Sequence, residues 1–274
     1  MIMTDNEITR RFERDGYVAP LRAIAPGEAV ALAADLERLA IEHGPDVWKR
    51  VKLKPHLLIK SINDLVRMPA ILDAVECALG PDLMVWGVGI FNKPAGSSGF
   101  YAWHQDATYW GLSEPALATA WIALTPSTLA NGCPRIVPGS HKQAHIPHRE
   151  VTGTGNLLSR GQEVAVEVDE SEAVNLILAP GEMSLHHVMI VHGSEPNHSD
   201  MPRIGIGIRY IAARIAPADG FEDSATLVRG RDHGTFTLEP QPERDFDPAC
   251  IALYDRIVVQ SRARAASEAE ALGN

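Results

Sequence analysis

His104 and Asp106 stand two positions apart, and a third candidate ligand, His192, lies far downstream beside Gly193. Two imidazole nitrogens and one carboxylate can cap one face of an octahedral metal ion and leave the opposite face open. That is the two-histidine, one-carboxylate arrangement of non-haem Fe(II) oxygenases. By ligand type alone, Mn, Co, Ni or Zn would bind as well. With 11 histidines in the chain, an HxD triplet by itself carries little weight. Its meaning depends on which elements hold the three residues.

In an extended segment, residues two apart share a face, so a strand or strand end could present His104 and Asp106 together while Gln105 points away. The run Glu182–Val191 reads as a strand that His192 ends. Alternation then places Ser184, His186, Val188, Ile190 and His192 on one face. Eleven positions after His192, Arg203 opens another apolar run, Ile204–Ala212. A guanidinium pairs with a carboxylate through two parallel hydrogen bonds and keeps its proton. On a neighbouring strand it could anchor the far end of a diacid whose near end chelates the metal. The plainer reading of Arg203 is a surface salt bridge. Gly205 and Gly207 alternate with Arg203 and would leave room for a bound molecule if that face points inward. Arg209 falls on the same face, either as an anion anchor or in a structural pair. His186 reads as a hydrogen-bonding neighbour of the site.

The elements that would position these residues fall in three blocks. Residues 5–15, 26–44 and 61–79 carry helical apolar spacing, with Pro26 near the start of the second and Gly80-Pro81 closing the third. Short runs rich in Val, Ile and aromatic residues follow at Leu83–Asn92, Thr119–Thr125, Arg135–Pro138, Val174–Leu178, Glu182–Val191 and Arg203–Ala212. Residues 248–270 return to helix. The expectation is a mainly β fold with flanking helices, a barrel or sandwich at its centre. One domain over 1–274 is expected, with helical support over 1–82, a β core over 83–213 and a C-terminal helix. That helix could pack on its own barrel or pair with a second copy.

Composition narrows the partners. A net charge of −10 disfavours nucleic acid, because phosphate contacts need clustered Lys and Arg. Cys77, Cys133 and Cys250 are odd in number and widely spaced, which suits reduced thiols and a cytoplasmic setting. The opening residues lack a basic stretch followed by an apolar run, and no stretch is apolar enough to span a membrane. Lys49, Arg50, Lys52 and Lys54 form a basic cluster. It reads as an edge strand guarded by lysine, or as an attractor of anionic substrate. Trp103, Tyr109 and Trp110 flank the HxD, as pocket walls or as core. Residues 223–231 read as a loop near the barrel mouth.

Taken in order, Phe12-Glu13-Arg14-Asp15-Gly16-Tyr17-Val18, Trp103-His104-Gln105-Asp106, Ala120-Trp121, Asn131-Gly132-Cys133, Pro138-Gly139-Ser140-His141 and His192-Gly193-Ser194 with Arg203 form a specific set. The chain resembles the phytanoyl-CoA dioxygenase family of Fe(II)/2-oxoglutarate-dependent oxygenases, including its ectoine hydroxylase-like members. That resemblance implies a double-stranded β-helix, a jelly-roll or cupin-like barrel. It implies that His104, Asp106 and His192 bind iron, that Arg203 and Ser194 hold 2-oxoglutarate, and that Tyr101 and Trp121 line its pocket. The implied reaction uses Fe(II), 2-oxoglutarate and O2 to hydroxylate a small molecule, releasing succinate and CO2. Halogenating relatives replace the aspartate with a small residue; Asp106 therefore favours hydroxylation. The rival reading is a metal-binding, cupin-like barrel, an isomerase or a binding module without oxygenase activity.

Overall fold

The computed structural model describes residues 3–44, 46–106, 111–143, 146–150, 155–158, 162–165, 168–218 and 222–272. Helix α1 (Asp5–Asp15) buries Ile8 and Phe12 and stops at Gly16. There the backbone turns left-handed, φ 77°, and the glycine N–H bonds the Phe12 carbonyl. Helix α2 (Pro26–His43) buries Ala29, Leu32, Ala33, Leu36 and Leu39, the stripe that its apolar spacing predicts. The third expected helix is two. Helix α4 (Lys60–Leu65) ends before Met68, which is extended, and α5 (Pro69–Leu79) begins at Pro69. Proline pushes its predecessor out of helical backbone and has no N–H to give, so it starts a helix more readily than it continues one.

Seven strands form the larger sheet: β1 (Tyr17–Arg22), β2 (Leu83–Lys93), β4 (Leu117–Ala123), β9 (Glu182–His187), β11 (Arg203–Ala212), β12 (Ser224–Arg229) and β13 (Thr237–Leu238), in the order β1-β9-β4-β11-β2-β12-β13. The smaller sheet contains β3 (Tyr101–His104), β5 (Pro134–Ile136), β8 (Val174–Asn175) and β10 (His192–Ser194), ordered β3-β10-β5-β8. Crossovers between non-consecutive strands dominate both sheets, as a double-stranded β-helix requires. The outward face of β11 carries Ile204, Ile206, Ile208 and Tyr210, which join Phe12, Leu36, Leu39 and the other helical apolar residues in one core. Tyr210 reaches through it to bond the Val66 carbonyl at 2.9 Å. The inward face of β11 carries Arg203, Gly205, Gly207 and Arg209. The mainly β class with flanking helices therefore holds.

Three local expectations fail for identifiable reasons. The run Glu182–Val191 is not one strand. Strand β9 ends at His187, and a turn closed by Ile190 N–H on the His187 carbonyl (3.0 Å) carries the chain into the other sheet, where His192 opens β10. Residues 48–56 form no edge strand: helix α3 (Val47–Arg50) leads to Lys54, whose left-handed backbone (φ 44°) turns its side chain inward. Residues 223–231 supply β12, paired with β2, rather than a loop, and Arg229 ties the sheet to α5 through Asp73 and Glu76.

Candidate active site

The two histidines meet because their strands pair. Strands β10 and β3 run antiparallel with His192 opposite His104 and Ser194 opposite Tyr101. The imidazole centroids are 4.1 Å apart. Each ring is oriented by its own backbone: His104 Nδ1 lies 2.8 Å from the Ala102 carbonyl, and His192 Nδ1 lies 3.0 Å from the Ile190 carbonyl. A carbonyl oxygen only accepts, so both Nδ1 atoms carry the proton and both Nε2 atoms keep a lone pair for a metal. Those Nε2 atoms stand 3.6 and 4.0 Å from Asp106 Oδ1. One ligand atom from each of the three residues falls within 4.8 Å of the others.

Asp106 follows β3 and is fixed by its N–H on the Val188 carbonyl (3.2 Å). Gln105 points away, as alternation predicts, and donates to the Met189 carbonyl at 2.8 Å. Burial alone would raise the Asp106 carboxyl. The neighbouring His104 and His192 rings and the Arg209 guanidinium outweigh it and hold the group well below the usual carboxylate range. Burial, then the neighbouring His104, pulls His192 down to about 3. A neutral His192 beside an ionised Asp106 is the protonation state that a divalent cation needs. The donor set therefore fits Fe(II).

A second group lies beside the first. Arg203 is 1% exposed and Lys93, its cross-strand partner on β2, is fully buried. Lys93 Nζ donates to Ser194 Oγ (2.7 Å) and to the Glu195 carbonyl. Arg203 Nη1 donates to the Gly132 carbonyl, and its guanidinium carbon lies 5.4 Å from the Trp121 ring centroid. Among the described residues Arg203 has no carboxylate partner, and its buried Nε has no acceptor. Burial lowers Arg203 to about 10; burial and then the Arg203 charge lower Lys93 to about 7. Two buried cations without an acid make a site for a bound anion. Tyr101 stands between, with Lys93 Nζ 5.5 Å from its ring.

The residues singled out from sequence are thus brought together: His104, Asp106 and His192 in one group, Arg203, Ser194, Tyr101 and Trp121 in the other. Lys93 escaped notice because the apolar run was closed at Asn92; only the pairing of β2 with β11 sets it opposite Arg203. The glycines of β11 do not leave the expected room. A Cβ on Gly205 would lie 2.2 Å from Trp121 Cζ2, and one on Gly207 2.8 Å from Phe91 Cε2. They admit two aromatic rings. Trp103 does not wall the pocket. It packs on the far side of its strand with Ile146, Val164 and Val191, under the Arg135 guanidinium. Tyr109 and Trp110 lie outside the described residues. His186 is buried, its ring centroid 5.3 Å from that of His192, and burial lowers it to about 4.

A double-stranded β-helix that pairs such a triad with a buried dicarboxylate anchor defines the Fe(II)/2-oxoglutarate-dependent oxygenases. The phytanoyl-CoA dioxygenase (PhyH) family model matches residues 12–205, and the chain belongs to that family. It is 33% identical over 202 residues to a probable alpha-ketoglutarate-dependent hypophosphite dioxygenase of Stutzerimonas stutzeri, covering 70% of this chain and 68% of that one. It is 26% identical to the ectoine dioxygenase of Nocardia farcinica, covering 81% and 83%. Among solved structures, the apo form of the non-heme monooxygenase ThoJ superposes with a TM-score of 0.86 at 39% identity, over 96% of this chain and 99% of that one. CytC3 with Fe(II) and alpha-ketoglutarate shares the fold, with a TM-score of 0.65 at 23% identity, over 90% and 96%. The chain is an Fe(II)/2-oxoglutarate-dependent dioxygenase.

Proposed function

We propose that the protein hydroxylates a C–H bond of a small polar molecule, with succinate and CO2 as coproducts. In this reading His104, Asp106 and His192 hold Fe(II), and Arg203, Ser194 and Lys93 hold the distal carboxylate of 2-oxoglutarate, with Tyr101 and Trp121 beside it. Bound Fe(II) supplies the coupling of O2 to the decarboxylation of 2-oxoglutarate. The protein's own part is to present two lone pairs and a carboxylate on one side of a buried space, and to neutralise a diacid within it.

The observation that carries this reading is the unmatched pair of buried cations beside the triad. A barrel that only binds a metal has no use for a desolvated arginine and lysine, whose burial costs stability until an anion arrives. Asp106 occupies a ligand position with a carboxylate, which supports oxygen transfer rather than halogenation. The negative net charge, and the lack among the described residues of a helix long and apolar enough to cross a membrane, support a small-molecule substrate and a cytoplasmic setting over nucleic acid or bilayer. We read the chain as one oxygenase domain over 1–274. The relatives named for hypophosphite and ectoine support a small polar substrate.

The test begins without oxygen. Fe(II) and 2-oxoglutarate added together to the protein should give a weak visible charge-transfer band that neither gives alone. Succinate release, screened across small polar acids and zwitterions, should then find the substrate. No band from the wild-type protein would remove the oxygenase reading and leave the metal-binding barrel.

A further inference from the structure

Lys93 and Arg203 form the last pair of the β2–β11 ladder. Pro94 follows Lys93 and Pro202 precedes Arg203, and proline has no N–H with which to extend the pairing. Two like charges directly opposite each other also push the strand ends apart. A side chain from the segment after β10 ties those ends. Asn197 is 1% exposed, and its Nδ2 lies 3.1 Å from the Lys93 carbonyl, 2.9 Å from the Pro94 carbonyl and 2.8 Å from the Met201 carbonyl. Its Oδ1 accepts from Ser199 N–H (2.9 Å) and Ser199 Oγ (2.8 Å), which fixes the direction of the amide. The same segment supplies acceptors for the cations. Lys93 Nζ donates to Ser194 Oγ and to the Glu195 carbonyl, and Arg203 Nη1 donates to the Gly132 carbonyl. Those two carbonyls belong to backbone in direct contact. Gly132 is left-handed, φ 69°, and a Cβ there would run into the Glu195 carbonyl and lie 2.7 Å from the Pro196 oxygen. His198 N–H on the Ala130 carbonyl (2.9 Å) holds the two loops together.

We infer that Asn197 is a positioning residue for 2-oxoglutarate: it sets where Lys93 and Arg203 stand, and so whether one carboxylate meets both cations at once. This rests on the oxygenase reading above. Asn197 acts on Lys93 through that residue's own carbonyl, and on Arg203 through Met201, two residues before it. It has no need to touch the diacid. The metal ligands His104 and His192 are brought together by a different pairing, that of β10 with β3. A loosened ladder end therefore leaves the keto-acid end of the ligand undisturbed and misplaces only the distal anchor. Misplacing an anchor costs affinity only for ligands that use it.

The experiment titrates the anaerobic Fe(II) protein with two 2-oxo acids and follows the visible band and the heat of binding. 2-Oxoglutarate and 2-oxopentanoate have the same chain length, but the second ends in a methyl group and reads the metal end alone. The wild type should bind 2-oxoglutarate far more tightly. N197A should weaken 2-oxoglutarate roughly tenfold, the scale of one or two lost buried hydrogen bonds, and leave 2-oxopentanoate within about twofold. N197Q, which keeps an amide, should recover part of the loss. S199A frees the Asn197 amide to turn without emptying its site. It should weaken 2-oxoglutarate about two- to threefold and spare 2-oxopentanoate, and it carries the test if N197A does not fold. Equal weakening of both acids would make Asn197 a structural residue and overturn the inference. Wild-type affinity for 2-oxoglutarate in folded N197A, or in S199A where N197A does not fold, would overturn it too. Equal affinity of the wild type for the two acids would take the cations out of the anchor and the inference with them. Absence of any 2-oxoglutarate band from the wild type marks the failure of the oxygenase reading itself.

Discussion

Lys54 and Lys93 are both buried lysines in this protein, but among the described residues only Lys54 has a counter-ion. Its Nζ lies 2.6 Å from Glu239 Oε1, and Glu239 also accepts from Ser224 Oγ (2.8 Å), from Thr226 Oγ1 and, through Oε2, contacts His56 Nε2 at 3.2 Å. Burial alone would raise the Glu239 carboxyl. The charge of Lys54, then His56, overcomes it and brings the group down to about 2. That cluster matches its lysine with an acid without any ligand and pins the segment before α4 to β12 and the chain beyond it. Among the described residues the pair Lys93 and Arg203 has backbone carbonyls and Ser194 for company and no acid within ion-pair distance. Closed clusters hold a fold together, whereas an interior cation surplus marks a place where stability has been given up for binding.

Mutations at the two clusters should therefore have opposite profiles. The largest effect is expected at the triad: D106A should abolish succinate release, and full turnover in that variant would take Asp106 out of the ligand set. Next, R203M should raise the 2-oxoglutarate dissociation constant by a hundredfold or more, the scale of losing a buried charged partner. The same variant should melt no lower than the wild type when ligand-free, because an uncompensated charge leaves the interior. A much lower melting temperature would mean that Arg203 is a structural ion after all. E239Q should do the reverse. It strands Lys54 and should cost about 3–5 kcal/mol in denaturant unfolding while leaving 2-oxoglutarate affinity unchanged.

Titration sharpens the contrast. Lys93 is held near 7 against an ordinary 10.5, so above about pH 7 the free protein loses this proton and a dianion must restore it. Affinity for 2-oxoglutarate should be full below pH 7 and weaken by up to about tenfold per pH unit above it. K93M should bind more weakly and show a flat profile over the same range. The smallest effect lies in acid. Glu239 titrates below its ordinary value of 4.5, so its stabilisation is whole above 4.5 and is lost as pH falls toward 2. His56, kept neutral by burial, adds a loss in the same direction that begins near its ordinary 6.5. Thermal melts across this range should show the decline, and E239Q should lack its lower portion.

Chemistry and coarse architecture were legible in the chain because they are written in residue type and local period. The HxD triplet, the His192-Gly193-Ser194 motif, the arginine eleven positions on, the apolar stripe of α2 and the limits of β11 all follow from side-chain identity and spacing. Pairing decided the rest. His192 meets His104 because a turn at 188–191 moves the chain from one sheet to the other; alternation along a single strand reached the right residue by a wrong route. Lys93 joins Arg203 only through the β2–β11 register, and Lys54 leaves the surface to meet Glu239, 185 positions later. Glycines that look like empty space turn out to admit Trp121 and Phe91. Sequence specifies what each residue can do and which face of its own element it occupies. Which residues face one another across strands is a property of long-range contacts, and those exist only once the two sheets have closed.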